Sequence, residues 1–144
     1  MSLEKMVAIV TGGGMGIGRG ITLELASRGA SVVIADINDE AAEKTKADVE
    51  AAGGKAATVH TDVTNQESTV SMARFAIDTY GKIDILVNNA GADKKGAVWE
   101  FEEKDWDFLM ALNLKGVFLS TQAVVAHMME RKFGRIINMS SRAG

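Results

Sequence analysis

The sequence predicts an α/β fold, an open doubly wound sheet of five parallel strands in the order 3-2-1-4-5. Three observations carry this. Short apolar runs alternate with longer helix-forming stretches from end to end. Glycine punctuates the ends of those stretches, and the chain has no proline. The first apolar run opens into a glycine cluster that leads straight into a helical pattern. Parallel strands need crossovers to return, and right-handed helical crossovers cover both faces of the sheet.

Val7-Ala8-Ile9-Val10 ends in Gly12-Gly13-Gly14 and fits a buried first strand. Ile17, Ile21 and Leu25 recur at i, i+4 and i+8, the inward stripe of a helix closed by Gly29. Val32-Val33-Ile34-Ala35 is a second buried strand. Asp39 to about Ala52 is alanine-rich and charged, a helix that Asn38 can cap and Gly53-Gly54 can end. Ala56 to Val59 is a third, weaker strand. Thr64 and Glu67 have the spacing of a capping box and open a helix that runs to Tyr80 and stops at Gly81. Ile83 to Val87 is the fourth strand. A long helical stretch follows from about Glu102 to about Lys132, bent or broken near Asn113 to Gly116. Arg135 to Met139 is the fifth strand.

Composition narrows the function. At 144 residues the chain predicts one domain with room for a core. A net charge of −3 gives no reason to expect nucleic acid or an anionic membrane as partner. With no cysteine, thiolate nucleophiles and Cys-ligated zinc are excluded, and His60 and His127 alone cannot build a His-rich metal site. The expected metal complement is none. No uninterrupted apolar run approaches the ~18 residues of a membrane span, and the stretch from Met6 to Val10 is too short for a signal peptide. A cytoplasmic location is the default expectation.

The chemistry clusters at the carboxyl ends of the predicted strands, where open α/β sheets bind ligands. Thr11 to Gly18 joins the first strand to the first helix. It fits neither G-x-G-x-x-G nor a Walker loop, but does fit G-x-x-x-G-x-G through Gly12, Gly16 and Gly18. Amides at a helix N-terminus attract phosphate, and glycine lets the ligand approach the backbone. Gly14, Met15 and Ile17 complete the loop. Asp36 follows the second strand, 18 residues beyond Gly18. A carboxylate there can accept from a ribose 2′-hydroxyl and repels a 2′-phosphate, and no lysine or arginine occupies residues 35 to 43. NAD is therefore preferred over NADP. Asp62 and Val63 follow the third strand, where the carboxylate could meet an adenine amino group and the valine could pack on the ring; a turn aspartate explains Asp62 equally well.

Asn88-Asn89-Ala90-Gly91 closes the fourth strand. With Thr11 to Gly18, Asp36 and Asp62, it closely resembles the short-chain dehydrogenase/reductase family, and the match extends to the last residue. The resemblance implies that the glycine loop holds the pyrophosphate of a nicotinamide dinucleotide. It assigns Asp36 and Ile37 to the adenosine ribose, Asp62 and Val63 to the adenine, and Asn89, Ala90 and Gly91 to the ribose and pyrophosphate region. Asn113, in Leu112-Asn113-Leu114-Lys115-Gly116, resembles the family's active-site asparagine at a helix bend, holding a water in a proton relay. Ser141, three before Gly144, resembles the catalytic serine that hydrogen-bonds the substrate oxygen, with Ser140 as the alternative.

The family's proton donor is a tyrosine whose pKa is lowered by a lysine four residues on. This chain has one tyrosine, Tyr80, and Asp84 stands four residues later. The expectation is the N-terminal part of a longer single-domain enzyme, inactive alone, that passes hydride between NAD(H) and a secondary alcohol or ketone. A 3-oxoacyl reductase-like activity is one form of it. Two alternatives stay open: a non-catalytic dinucleotide-binding subunit, and a split enzyme completed by a second polypeptide. A methyltransferase using S-adenosylmethionine would also place glycines and an acid so, but the Asn-Asn-Ala-Gly block and Asn113 argue against it. Apolar residues spread over more than one face of the 102 to 132 stretch, which suggests a homo-oligomer formed through that helix.

Overall fold

Hydrogen-bonding demand and burial together decide where each element of this chain ends. The computed structural model describes residues 2–141. Strands β1 (Val7–Thr11), β2 (Ser31–Asp36), β3 (Lys55–His60), β4 (Ile85–Asn88) and β5 (Arg135–Asn138) form one parallel sheet in the order β3-β2-β1-β4-β5. Helices α1 (Gly16–Ser27) and α2 (Asp39–Ala51) cross over on one face. Helices α3 (Gln66–Tyr80), α4 (Glu103–Met110) and α5 (Gly116–Glu130) complete the connections. Two cores result. Ala8, Val10, Val32 and Ile34 pack under α1 and α2, whereas Ile9, Val33 and Leu86 pack against Met72 of α3 and Val124 and Met128 of α5. The alternation along β1 and β2 is the two-residue period of a strand buried on both faces.

Two local expectations need correction. The α1 stripe is displaced by one position: Gly18, Thr22 and Ala26 are buried, Ile21 and Leu25 are half-buried, and Ile17 is 69% exposed. Small residues let this helix settle onto the sheet, so its largest apolar groups flank the contact instead of making it. The capping box does not form. Asn65 caps α3, its side chain accepting from the Ser68 amide at 3.0 Å. Thr64 is withdrawn because Asp62 Oδ1 accepts from both its amide (2.9 Å) and its hydroxyl (2.7 Å). The long helix is interrupted where the sequence places the break, by a π-helical turn, Ala111–Lys115. Gly116 sits tightly there, since a Cβ would stand 2.8 Å from Val63 Cγ2.

The span Glu103–Glu130 is long and apolar enough, by length and average hydropathy alone, to cross a membrane. In this fold Leu119, Val124 and Met128 are buried, the last two in the α3-side core, as in a helix that covers a sheet.

At the amino ends of the central strands lies a buried ionic junction. Asp84 is 1% exposed. Its carboxylate accepts from the Val7 amide (2.9 Å) and pairs with Lys82 (2.9 Å) and Arg131 (2.9 Å). Burial alone would raise this carboxyl. Hydrogen bonds from Lys82, Val7 and Arg131, with the charge of Lys82, outweigh burial and hold it below the ordinary aspartate value.

Candidate functional site

A cleft of about 440 Å³ opens at the carboxyl ends of β1, β2, β3 and β4. Its position is where strand order reverses between β1 and β4. Gly12, Met15, Gly16, Ile17 and Gly18 form one wall. Asp36, Ile37, Asp62 and Val63 line the side toward β2 and β3, and Asn89, Ala90 and Gly91 the side toward β4. The structure thus gathers all the sequence-predicted cofactor residues except Gly14. It adds Thr61 and Leu112, whose residue types carry no signal by themselves.

Gly14 faces the other way. Its amide donates to Asp36 Oδ2 at 2.8 Å, its carbonyl accepts from Thr45, and a Cβ would stand 2.9 Å from the Ala42 amide nitrogen. This glycine seats α2 against the loop and does not line the cleft. It lines a neighbouring hollow that Arg19, Glu40 and Lys44 also border, where Arg19 is neutralised by Asp48 at 2.8 Å.

Helix termini provide a test of fit for a dinucleotide. The N-caps of α2 and α3, Asn38 and Asn65, each accept a backbone N–H. Met15 at the start of α1 supplies no such side-chain bond, and the first turn of α1 carries no acid. The amides of α1 therefore face the cleft in the manner that suits a phosphate. Gly18 lets the start of α1 pack closely on the loop: a Cβ there would lie 1.9 Å from the Gly12 carbonyl oxygen. The residues present fit a pyrophosphate.

Asp36 is 6% exposed at the end of β2. Its two oxygens accept from the amides of Gly14 and Asn38 (2.8 and 2.9 Å), which fixes the carboxylate at the cleft edge while each oxygen retains a lone pair. Asp62 lines the cleft and also holds its own turn, accepting from the Thr64 amide at 2.9 Å.

Thr11, 1% exposed, is a hub that ties β1 to the β4 loop. Its hydroxyl accepts from the amides of Asn89 and Ala90 (3.0 and 3.1 Å) and donates to the Val87 carbonyl. The Asn89 side chain returns the tie by donating to the carbonyls of Thr11 and Gly12. Asn89 and Ala90 are thereby tied to the end of β1.

Asn113 lies in the π turn, outside the cleft lining. Its side chain clamps the Ala92 backbone, accepting from the amide (3.0 Å) and donating to the carbonyl (2.9 Å). It fixes the segment just after Gly91. Ser140 and Ser141 follow β5, exposed at the same end of the sheet; Arg142, Ala143 and Gly144 lie outside the described residues. Tyr80 ends α3 at the opposite end of the sheet and packs half-buried against the core. Burial, and secondarily Glu50, push its phenol up, the reverse of what a proton-donating tyrosine needs. Among the described residues no three His, Asp or Glu side chains are grouped to hold a metal.

The family profile of the short chain dehydrogenases matches residues 6–144. The (2S)-[(R)-hydroxy(phenyl)methyl]succinyl-CoA dehydrogenase subunit BbsD of Thauera aromatica is 43% identical over 99% of this chain and 58% of that protein. The 3-oxoacyl-[acyl-carrier-protein] reductase FabG of Thermotoga maritima is 38% identical over 100% of this chain and 58% of that protein. The crystal structure of a hydroxysteroid dehydrogenase from Escherichia coli superposes with a TM-score of 0.93 at 36% identity, over 97% of this chain and 59% of that one. The chain spans under three-fifths of the length of each. Profile, relatives and the Rossmann-type sheet agree: the chain belongs to the short-chain dehydrogenase family, oxidoreductases that bind NAD(H) or NADP(H).

Proposed function

We propose that these 144 residues are the dinucleotide-binding part of a longer single-domain enzyme that uses NAD(H). Its substrate is a secondary alcohol or the corresponding ketone, with a 3-oxoacyl thioester as one class, since a 3-oxoacyl reductase is among the relatives. The dinucleotide, when bound, supplies or accepts the hydride. Gly12, Gly16 and Gly18 cradle its pyrophosphate, Asp36 and Ile37 its adenosine ribose, Asp62 and Val63 its adenine. Asn113 fixes the loop beside the reacting end, and Ser141 meets the substrate oxygen.

The observation that carries the NAD reading is the fixed Asp36 carboxylate in a cleft lined, among the described residues, by no lysine or arginine. A 2′-phosphate placed beside it would bring like charges together. Titration of the chain with NADH and NADPH tests this: NADH should bind more tightly by about tenfold or more, the worth of a hydrogen bond to a charged group. Asp36→Asn should narrow that gap mainly by weakening NADH. Equal affinities in the unaltered chain would sink the assignment and direct attention to Lys44 and Arg19 in the neighbouring hollow.

Alone, the chain should bind NADH without turning over an alcohol, because Tyr80 is remote from the cleft. The exposed Trp106, Phe108, Leu114, Phe118 and Met129 support a homo-oligomer formed through α4 and α5. Light scattering on the whole protein should give more than one subunit mass.

A further inference from the structure

We propose that Thr45 is a positioning residue for dinucleotide selectivity, holding Gly14 so that the Gly14 amide pins the Asp36 carboxylate at the cleft edge. This deepens the functional reading above and rests on its assignment of NAD. Asp36 has two amide donors, and they act differently. Asn38, at 2.9 Å, is two residues on and travels with Asp36. Gly14, at 2.8 Å, is 22 residues away in sequence and ties the carboxylate to the glycine loop. Gly14 lies close against the start of α2, where a Cβ would stand 2.9 Å from the Ala42 amide nitrogen. Its carbonyl accepts from the Thr45 hydroxyl at 2.8 Å, the usual length of a good O–H···O bond.

Thr45 faces inward with Ala42 and Val49 on the buried stripe of α2 and is 0% exposed. Packing alone would favour an apolar residue there, since a buried hydroxyl costs stability unless it is hydrogen-bonded. A helical threonine can satisfy itself on a carbonyl of its own preceding turn. Thr69, equally buried on α3, does so by donating to the Gln66 carbonyl at 2.9 Å. Thr45 sends its hydroxyl across to the loop instead. Thr22 of α1 does likewise, to the Gly13 carbonyl, but at 3.3 Å that bond is the weaker one. The relay from Thr45 through Gly14 to Asp36 lies on the α1 and α2 side of the sheet, and Gly14 is outside the main cleft lining. Loss of the hydroxyl should thus loosen Asp36 and leave Gly12, Gly16 and Gly18 in place. A dinucleotide whose ribose is held by Asp36 should feel that loss, and one carrying a 2′-phosphate should not.

The test uses Thr45→Val, Thr45→Ser and, as a matched loss of a buried hydroxyl, Thr69→Val. In the whole protein Thr45→Val should lower NADH affinity about threefold to tenfold, the worth of one neutral hydrogen bond, with NADPH affinity within about twofold of the parent. Thr45→Ser keeps the donor and should retain the parent's preference. Thr69→Val should lower the thermal midpoint and leave the preference unchanged. Thr45→Ala cannot crowd the Gly14 carbonyl; it should act in the same direction and serves where the valine variant fails to fold. An unchanged preference in Thr45→Val, an equal loss of NADH and NADPH affinity, or an equal change in Thr69→Val would each overturn the proposal. Amide exchange separates this from the functional reading. The Gly14 N–H should exchange about tenfold faster in Thr45→Val than in Thr69→Val. Equal exchange overturns the positioning role whichever dinucleotide is preferred. Faster exchange in a protein that binds NADH and NADPH equally would retain the hold on Gly14 and reject only the NAD assignment.

Discussion

At Gly18 a methyl group would stand 1.9 Å from the carbonyl oxygen of Gly12 and 2.5 Å from Nδ2 of Asn89. Neither neighbour can yield, because both belong to the network that joins β1 to the β4 loop. Gly16 is the converse case: its φ is +52°, yet nothing lies within 4 Å of a Cβ built there. Gly18→Ala should therefore destabilise the chain by about 2–3 kcal/mol, the upper part of the range for overpacking, and weaken NADH with it. Gly16→Ala should cost only its left-handed backbone, about 1–2 kcal/mol. Urea melts of both variants check the order, and equal losses would mean the loop relaxes around Gly18. The glycine pattern made this loop legible before any coordinates, but not the division of labour within it. Gly14 has the same residue type and serves α2 instead, because the direction of a backbone amide is not written in a one-letter code. Thr11 belonged to the recognised motif, yet its role as acceptor for two amides needs β4 beside it.

Element boundaries show how local signals compete. Thr64 and Asn65 are adjacent and both are good N-caps, so the spacing of Thr64 to Glu67 alone could not decide between them. Asp62 decides it by accepting from Thr64 and leaving Asn65 free to hold the Ser68 amide. Asn65→Ala should lower stability by about 1 kcal/mol, the usual worth of an asparagine cap, whereas Glu67→Ala should change it by less than about 0.5 kcal/mol, as for an ordinary surface position. Thermal midpoints of the two variants measure this; a larger effect at Glu67 would restore the capping box. The same limit applies to α1, where periodicity located a helix but not its buried face. Gly18, Thr22 and Ala26 are inside because the helix sits close to the sheet, a tertiary fact. The interruption after Met110 was legible as an asparagine and a glycine in a helical pattern. Its π-helical form was not, since that depends on which carbonyl the Gly116 amide reaches.

Across the whole molecule, topology was the most legible feature, because strand and helix alternate and crossover handedness leaves few arrangements. The cleft followed from topology, at the switch between β1 and β4. The opposite end of the sheet was not legible: Asp84 stands in the sequence as one acid among apolar strand residues. Only the fold brings Val7, Lys82 and Arg131 around it. Because Lys82 and Arg131 remain about a third exposed, solvent weakens the pairs, and Asp84→Asn should cost about 2–3 kcal/mol near neutral pH, the scale of hydrogen bonds to a charged group. The pH dependence has a definite sign. The folded carboxyl titrates below its unfolded value, so between the two the unfolded chain binds more protons and stability falls as acid is added. The contribution is full above the unfolded value, near pH 4, and is lost as pH drops through the folded one. The difference in unfolding free energy between the parent and Asp84→Asn should hold steady from neutral pH to about 4 and shrink below that. A difference that stays constant down to pH 2–3 would show that the ionised carboxylate is not what stabilises this junction, and that Asp84 serves chiefly as an acceptor for the Val7 amide.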